Sequence, residues 1–172
     1  TNSTGSINMS ESVRSLKNKC IVVMITSDKC YLNLNKNEAF EENYPLGGID
    51  PYSASKGSAE LAINSYVKSF FNHPNNLVRI SSARAGNVIG GGDWSENRIV
   101  PDAVSYLMKK EKIKIRNPMA IRPWQHVLEP LWGYLKLAKY LEKEIYNNDC
   151  AFNNSFNFGP LAEDHRTVKE LI

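Results

Sequence analysis

Residues 21–30 read IVVMITSDKC, an apolar run that ends in a hydroxyl-bearing and charged turn. A continuous β-branched and apolar run is typical of a parallel strand that is covered on both faces. The motif DPYSASK follows at residues 50–56, where Asp50 is a suitable N-cap and Pro51 suits the first helical position. The apolar stretch 77–82 then predicts a second strand. Together these segments predict a crossover of strand, loop, helix and strand.

The remaining segments continue the alternation of helices and strands, which indicates an α/β fold with a parallel sheet. Apolar residues at helical spacing predict a helix end at Ser6–Leu16 and a short helix at Ile99–Met108. A longer helix is predicted with one buried face, made of Leu131, Leu135, Ala138, Leu141 and Ile145. Short strands are predicted at Ile113–Ile115 and Phe156–Phe158.

Composition limits the class of protein. With 172 residues, 42% hydrophobic and 23% charged, the chain has the make-up of an ordinary globular domain. The net charge of +3 is too small to favour nucleic acid or an anionic membrane as a partner. No apolar run approaches the roughly 20 residues of a membrane span.

Three cysteines, Cys20, Cys30 and Cys150, are odd in number and suit a reducing compartment, so a cytoplasmic location is expected. No metal site is predicted.

Tyr52 and Lys56 lie four residues apart at the start of the predicted helix, so they share one face, roughly 6 Å apart at Cβ. A phenol with an ordinary pKa of about 10 is a poor base at neutral pH, and a nearby ammonium lowers that pKa. Such a pair is also common as an ordinary helix surface pair. Because the strand end Thr26–Lys29 precedes it, the two segments together favour a site that moves a proton and a hydride.

Six segments resemble the CDP-glucose 4,6-dehydratases, a family in the extended short-chain dehydrogenase/reductase superfamily of nucleotide-sugar enzymes. They are TSDKCY (26–31), DPYSASKGSAE (50–60), RAGNVIGGGDW (84–94), RIVPD (98–102), IRNPMAIRPWQHVLEP (115–130) and FNFGP (156–160). The YxxxK pattern marks only the superfamily, whereas TSDKCY, RAGNVIGGGDW and RPWQHVLEP together are much narrower. The resemblance covers nearly the whole chain.

The resemblance implies a Rossmann-like doubly wound parallel sheet with part of a smaller substrate-binding domain. Residues 1–88 would be the later part of the NAD-binding domain, with the catalytic loop and the YxxxK helix. Residues 89–172 would combine a substrate-binding lobe with returning Rossmann elements. The family's glycine-rich phosphate loop is not in the sequence, since Gly90–Gly92 lacks the G-x-G-x-x-G spacing. The chain is therefore expected to be an internal piece of a longer protein and to be inactive alone.

The resemblance also implies a mechanism with NAD as cofactor and CDP-glucose as substrate. Tyr52, helped by Lys56, would remove the C4 hydroxyl proton, and Ser27 would hydrogen-bond the C4 oxygen. Asp28 would protonate the C6 hydroxyl as it leaves. Lys29 would either remove the C5 proton or stabilise the enolate as a cation. Thr26, Tyr52 and Lys56 would contact the cofactor.

Five further residues are candidates for substrate binding. Arg98 and Arg122 can grip a pyrophosphate, because a guanidinium fork matches phosphate oxygens. The resemblance implies that Asn87 contacts the phosphates, and His126 and Asn157 are weaker candidates for the same pocket.

Other interpretations stay open at this point. A related nucleotide-sugar enzyme, such as a 4-epimerase or a dehydratase for another nucleotide sugar, would carry the same Tyr52 and Lys56. An epimerase has no water to expel, however, so Asp28 and Lys29 argue against it. A non-catalytic truncated remnant is the third interpretation. For the full-length enzyme, the resemblance implies a homo-oligomer that serves deoxysugar biosynthesis, as in lipopolysaccharide O-antigen.

Overall fold

The computed structural model describes residues 1–34, 39–147 and 155–172, so Cys150 lies outside the described residues. The helices are α1 (Asn2–Arg14), α2 (Pro51–Tyr66), α3 (Ile99–Met108), α4 (Leu128–Asn147) and α5 (Val168–Leu171). The strands are β1 (Cys20–Ile25), β2 (Val78–Ala85), β3 (Val88–Ile89), β4 (Ile121–Arg122), β5 (Gln125–His126), β6 (Ser155–Phe158) and β7 (Arg166–Thr167). The chain divides into two compact units, one of residues 1–85 with 130–158 and one of residues 86–129 with 159–172.

The first unit is built on a parallel sheet with the strand order β1-β2-β6. In register, Cys20 lies opposite Val78 and Ile25 opposite Ala83, while Ser82 pairs with Ser155 on the other edge. The predicted crossover is confirmed, since β1, α2 and β2 follow one another and the two strands are parallel. The α/β fold with a parallel sheet is therefore confirmed.

Helices cover both faces of this sheet, which explains why β1 is apolar at every position. Val22 and Met24 pack against a core formed by α1, α2 and β2, which contains Ile63 and Ile80. Ile21 and Val23 face α4 instead, where they pack against the second core, which contains Ala83, Leu137 and Leu141. Because alternate side chains of a strand point to opposite faces, both sets find a hydrophobic partner.

Helix α2 begins where the sequence predicts. The Asp50 carboxylate accepts hydrogen bonds from the backbone N–H groups of Tyr52 (2.9 Å) and Ser53 (3.0 Å), and Pro51 occupies the first turn. The hydroxyl of Ser53 also donates to Asp50 at 2.6 Å. The Ser53 hydroxyl and N–H hold the pKa of the Asp50 carboxyl below its ordinary value. This cap fixes the first turn of α2, on which Tyr52 lies.

Two predictions about secondary elements are wrong. Residues 113–115 form no strand, since the two isoleucines have no neighbouring strand with which to pair. In α4, Leu131 and Leu135 are exposed, while Leu137, Leu141 and Ile145 are buried. The buried face of α4 is therefore rotated relative to the predicted face. Of the residues predicted to be buried, Leu141 and Ile145 are buried in the structure. Helical spacing alone cannot decide which of two overlapping apolar stripes meets the sheet.

The second unit contains two small strand pairs. Strands β3 and β5 are parallel, with Val88 opposite Gln125, and β4 and β7 are antiparallel, with Arg122 opposite Arg166. Helix α5 begins with a capping box between Thr167 and Glu170. Across the described residues, no helix has the length and apolarity needed to cross a membrane. The assignment of residues 1–88 to cofactor binding and of 89–172 to substrate binding stays a prediction.

Gly48 lies against the start of α2, and this close approach leads to a stability prediction. A Cβ atom at Gly48 would lie 2.3 Å from the backbone nitrogen of Ala54 and 2.4 Å from the carbonyl carbon of Ser53. We expect Gly48→Ala to lower the free energy of unfolding by about 1–3 kcal/mol, as overpacking does. Urea unfolding measures the change. Gly5→Ala is the matched control, since its Cβ would meet nothing within 4 Å. An equal loss in both variants would contradict the steric explanation.

Candidate active site

The turn after β1 gathers three of the predicted catalytic side chains. Thr26 extends the sheet, its N–H donating to the carbonyl of Ala83 at 2.8 Å, and a single 3-10 turn then spans Asp28–Cys30. Ser27 caps this turn, because its Oγ accepts from the N–H of Lys29 at 3.2 Å and donates to Asp28 Oδ1 at 3.0 Å. The three polar side chains are therefore held at the carboxyl end of β1, where ligands of parallel sheets bind.

Asp28 and Lys29 form an ion pair within this turn. Lys29 Nζ lies 2.9 Å from Asp28 Oδ2, and the two side chains are 44% and 23% exposed. The ammonium is thus close to a carboxylate and accessible to solvent.

Tyr52 and Lys56 lie on the first turns of α2, as their spacing predicts. Tyr52 is 53% exposed, and Lys56 Nζ lies 5.9 Å from the centroid of its ring. Within the described part of the chain, neither the phenol nor this ammonium has a hydrogen-bond partner in the structure, so both remain available to a ligand. The turn Asp28–Cys30 packs against α2. The structure therefore places the turn with Ser27, Asp28 and Lys29 against helix α2, which carries Tyr52 and Lys56.

A buried ion pair, which sequence reasoning missed, lies beneath this turn. Glu60 on α2 is 1% exposed and Arg84 on β2 is 4% exposed, and Arg84 Nη2 lies 2.6 Å from Glu60 Oε2. The same carboxylate accepts from Ser82 Oγ at 2.8 Å and from the hydroxyl of Thr26. Burial opposes the charge of Arg84, but the hydrogen bond and the charge of Glu60 raise the pKa of the guanidinium above its ordinary value. The hydroxyl proton of Thr26, a predicted cofactor contact, is engaged by this carboxylate.

Tyr31, the residue directly after the turn, is hydrogen-bonded to the Glu60–Arg84 ion pair. Arg84 Nη1 donates to the phenol oxygen of Tyr31 at 2.7 Å, and that phenol donates to Asn157 Oδ1 at 2.7 Å. The amide of Asn157 donates to the carbonyl of Phe40 at 2.8 Å. Burial raises the pKa of Tyr31, against the opposing effect of the hydrogen bond from Arg84. Asn157, a predicted substrate contact, is therefore bonded to Tyr31, the residue directly after the turn.

Cys30 lies inside the turn without a chemical role of its own. It is fully buried, and this burial raises the pKa of the thiol to about 12. A thiol that does not ionise near neutral pH is a weak nucleophile. Cys30 therefore serves as a small buried hydrophobic residue. Cys20 is also free.

The other four predicted substrate residues lie in the second unit. Asn87 is partly buried beside β3, and its carbonyl accepts from the N–H of Gln125 at 3.1 Å. Arg98 is exposed at the N-terminal end of α3, and Arg122 is exposed on β4. His126 is exposed on β5, where its Nδ1 accepts from the N–H of Leu128 at 3.3 Å. Their roles stay predictions.

A cleft of about 350 Å³ lies within the second unit. Its wall is largely apolar and includes Val100, Pro101, Val104 and Val127, with the glycine run 90–92 at one side. Trp94 also lines the cleft and is largely exposed. Arg98 lies in the chain between the two cleft-lining segments 88–94 and 100–104. A cleft of this size suits part of a nucleotide or a sugar.

Three known proteins compare closely with this chain. A CDP-glucose 4,6-dehydratase from Salmonella typhimurium (strain LT2) is 46% identical over all of the chain, which covers 48% of that protein. A crystal structure of UDP-glucuronic acid 4-epimerase from Bacillus cereus, with UDP-glucuronic acid and NAD, matches all of the chain at a TM-score of 0.79 and 15% identity, over 49% of its own length. A dTDP-glucose 4,6-dehydratase from Streptomyces venezuelae, with NAD bound, matches 99% of the chain at a TM-score of 0.77 and 18% identity, over 47% of its length.

The two solved structures share the fold of this chain, which is the Rossmann-type α/β fold of these nucleotide-sugar enzymes. The chain spans about half the length of each of the three proteins. The family model described as GDP-mannose 4,6 dehydratase matches residues 1–159, more than nine-tenths of the sequence. The chain therefore belongs to the GDP-mannose 4,6 dehydratase family.

Proposed function

We propose that the protein that carries this chain converts CDP-D-glucose to CDP-4-dehydro-6-deoxy-D-glucose with NAD as a recycled cofactor. One observation carries the proposal: the turn Asp28–Cys30, which Ser27 caps, packs against helix α2, which presents Tyr52 and Lys56. A dehydration needs both an oxidation and an elimination, and these two elements supply groups for each. The identity of 46% with the Salmonella CDP-glucose 4,6-dehydratase supports CDP-glucose as the substrate.

The residues present fit NAD. The ammonium of Lys56 keeps its three hydrogens available, and the exposed phenol of Tyr52 lies beside it, so hydroxyl groups of a dinucleotide could be bound there. When bound, NAD would supply the acceptor for the hydride from C4 of the sugar and the donor of the hydride to C6. Lys56 and Tyr52 would hold the cofactor, with Thr26 contributing through atoms other than its engaged hydroxyl proton.

Tyr52 and Ser27 serve the oxidation step. Tyr52, as a phenolate beside Lys56, takes the proton from the C4 hydroxyl. Ser27 holds the C4 oxygen through a hydrogen bond, since its hydroxyl can rotate from Asp28 toward a ligand. The proton thus moves from the sugar oxygen to the phenol oxygen, and the carbonyl that forms makes the proton on C5 acidic.

Asp28 and Lys29 serve the elimination step. The carboxylate of Asp28 takes the proton from C5 and passes it to the C6 hydroxyl, which leaves as water. Lys29 is accessible and paired with Asp28, so we assign it the cationic role of stabilising the enolate that forms when C5 loses its proton. A neutral lysine base would need burial or neighbouring cations, and the turn provides an adjacent carboxylate instead.

The second unit would bind the nucleotide part of the substrate. Arg98 and Arg122 are exposed, and their guanidinium forks suit the two phosphates of CDP-glucose. Asn87 and His126 would add hydrogen bonds from the neighbouring strands β3 and β5. Asn157 would add a hydrogen bond of its own, since its bond to Tyr31 holds its side chain in place.

Incubation of the full-length protein with CDP-glucose and NAD tests the proposal. We expect a product lighter than CDP-glucose by one water, with no net formation of NADH, as followed by mass spectrometry and absorbance. UDP-glucose and dTDP-glucose serve as matched substrates, and we expect slower turnover of both. Formation of CDP-galactose would indicate an epimerase. An unchanged CDP-glucose would exclude the proposed reaction.

A further inference from the structure

We propose that the buried Glu60–Arg84 ion pair positions the catalytic turn relative to Tyr52, with Thr26 and Tyr31 as its two attachment points. This inference rests on the proposed function. Neither charged group faces solvent, so each acts through the residues to which it is bonded. Both are therefore positioning residues.

Glu60 connects the start of the turn to the catalytic helix. It lies on α2 four residues after Lys56 and eight after Tyr52, so it moves with both. Its Oε1 accepts from Thr26, the residue directly before Ser27. Its Oε2 accepts from Ser82 and Arg84, which anchors the carboxylate to the central strand. Loss of the bond between Glu60 and Thr26 would therefore free Ser27 to move relative to Tyr52.

Arg84 connects the end of the turn to the sheet. Its Nη1 holds the phenol of Tyr31, the residue directly after the turn, and also the carbonyl of Glu42 at 3.0 Å. Its Nη2 donates to Ser155 Oγ at 2.9 Å, on the neighbouring strand β6. Both ends of residues 26–31 are thus bonded to one ion pair, and the turn has little freedom to move away from α2.

Stability alone does not account for a buried pair of this kind. Well-packed apolar side chains of similar volume often stabilise a core as well as or better than a buried ion pair. An apolar pair would leave Thr26 and Tyr31 without their partners. Hydrogen bonds fix directions and distances, which an apolar contact does not, and catalysis depends on distances at the level of about 1 Å.

Thr26→Val and Tyr31→Phe test the two attachment points in the full-length protein, because each removes one hydroxyl and keeps the shape. We expect each to lower kcat for CDP-glucose by about 10-fold to 10²-fold, the cost of a misplaced catalytic group. Thr26→Ser keeps the hydroxyl and should restore kcat. Ser82→Ala is the matched control, since it removes a bond to the same carboxylate from the strand rather than from the turn.

Hydrogen exchange of residues 27–31, followed by mass spectrometry, gives a readout that does not depend on activity. We expect faster exchange there in Thr26→Val and Tyr31→Phe and wild-type exchange in Ser82→Ala. Equal losses of kcat in Thr26→Val and Ser82→Ala, or wild-type kcat and exchange in Thr26→Val, would overturn the inference. If the wild-type protein does not turn over CDP-glucose, the proposed function fails, and the exchange rates alone decide whether the pair holds the turn.

Discussion

Tyr52→Phe is expected to lower kcat for CDP-glucose by about 10²–10⁴-fold, the range for loss of a general base. The ring remains and Tyr52 is half exposed, so the fold and the position of Lys56 should not change. Only the group that accepts the C4 proton is lost. The loss should fall on kcat rather than on KM, because the hydroxyl acts in the chemical step.

Steady-state kinetics of the full-length protein measure this effect, with circular dichroism as the check on folding. Tyr106→Phe is the matched control, since it removes a phenol from α3 in the other unit. That variant should retain wild-type kcat. A Tyr52→Phe protein with wild-type turnover would show that another group takes the proton.

The first unit follows from local signals in the sequence. The apolar run of β1, the cap at Asp50 and the proline after it each specify one local structure, and all three agree with the crossover that the structure contains. Agreement between local preference and the overall fold is typical of natural sequences. The spacing of Tyr52 and Lys56 then fixed their common helix face.

The errors in the prediction come from long-range packing. Ile113 and Ile115 alternate as a strand does, yet a strand forms only if another strand pairs with it. For α4, the covered face depends on which side chains of the sheet it meets, and Phe158 of β6 is one of these. Gly133 makes this contact possible, since a Cβ there would lie 2.3 Å from the Phe158 ring. The spacing of leucines in the helix carries no information about that ring.

The sequence contains a signal that predicts the buried ion pair of Glu60 and Arg84. Glu60 lies between Ala59 and Ile63, two residues of the apolar face of α2, and Arg84 lies between Ala83 and Ala85 near the end of β2. Charged residues are rarely buried without a partner of opposite charge. Two such residues on consecutive elements of a crossover therefore predict a buried pair. The sequence does not reveal that the pair also bonds to both ends of the catalytic turn.

Asp28→Asn is expected to stop the reaction at a different step from Tyr52→Phe. Asparagine keeps the size of the side chain and can still accept from Ser27 Oγ, so the turn should persist. The exposed ion pair with Lys29 is lost, at a cost in stability of about 1 kcal/mol or less. Oxidation at C4 needs Tyr52 and Ser27 and should proceed, whereas loss of the C6 hydroxyl needs a proton that asparagine cannot supply. We expect turnover to fall by about 10²–10⁴-fold.

Absorbance of reduced nicotinamide distinguishes the two variants. On mixing with CDP-glucose, Asp28→Asn should accumulate NADH, because oxidation occurs and the sugar does not reach the form that takes the hydride back. Tyr52→Phe should accumulate none, because its block precedes oxidation. Asp164→Asn is the control, since Asp164 is an exposed carboxylate in another 3-10 turn. Wild-type turnover in Asp28→Asn, or slow turnover without NADH, would assign the protonation of the leaving hydroxyl to a different residue.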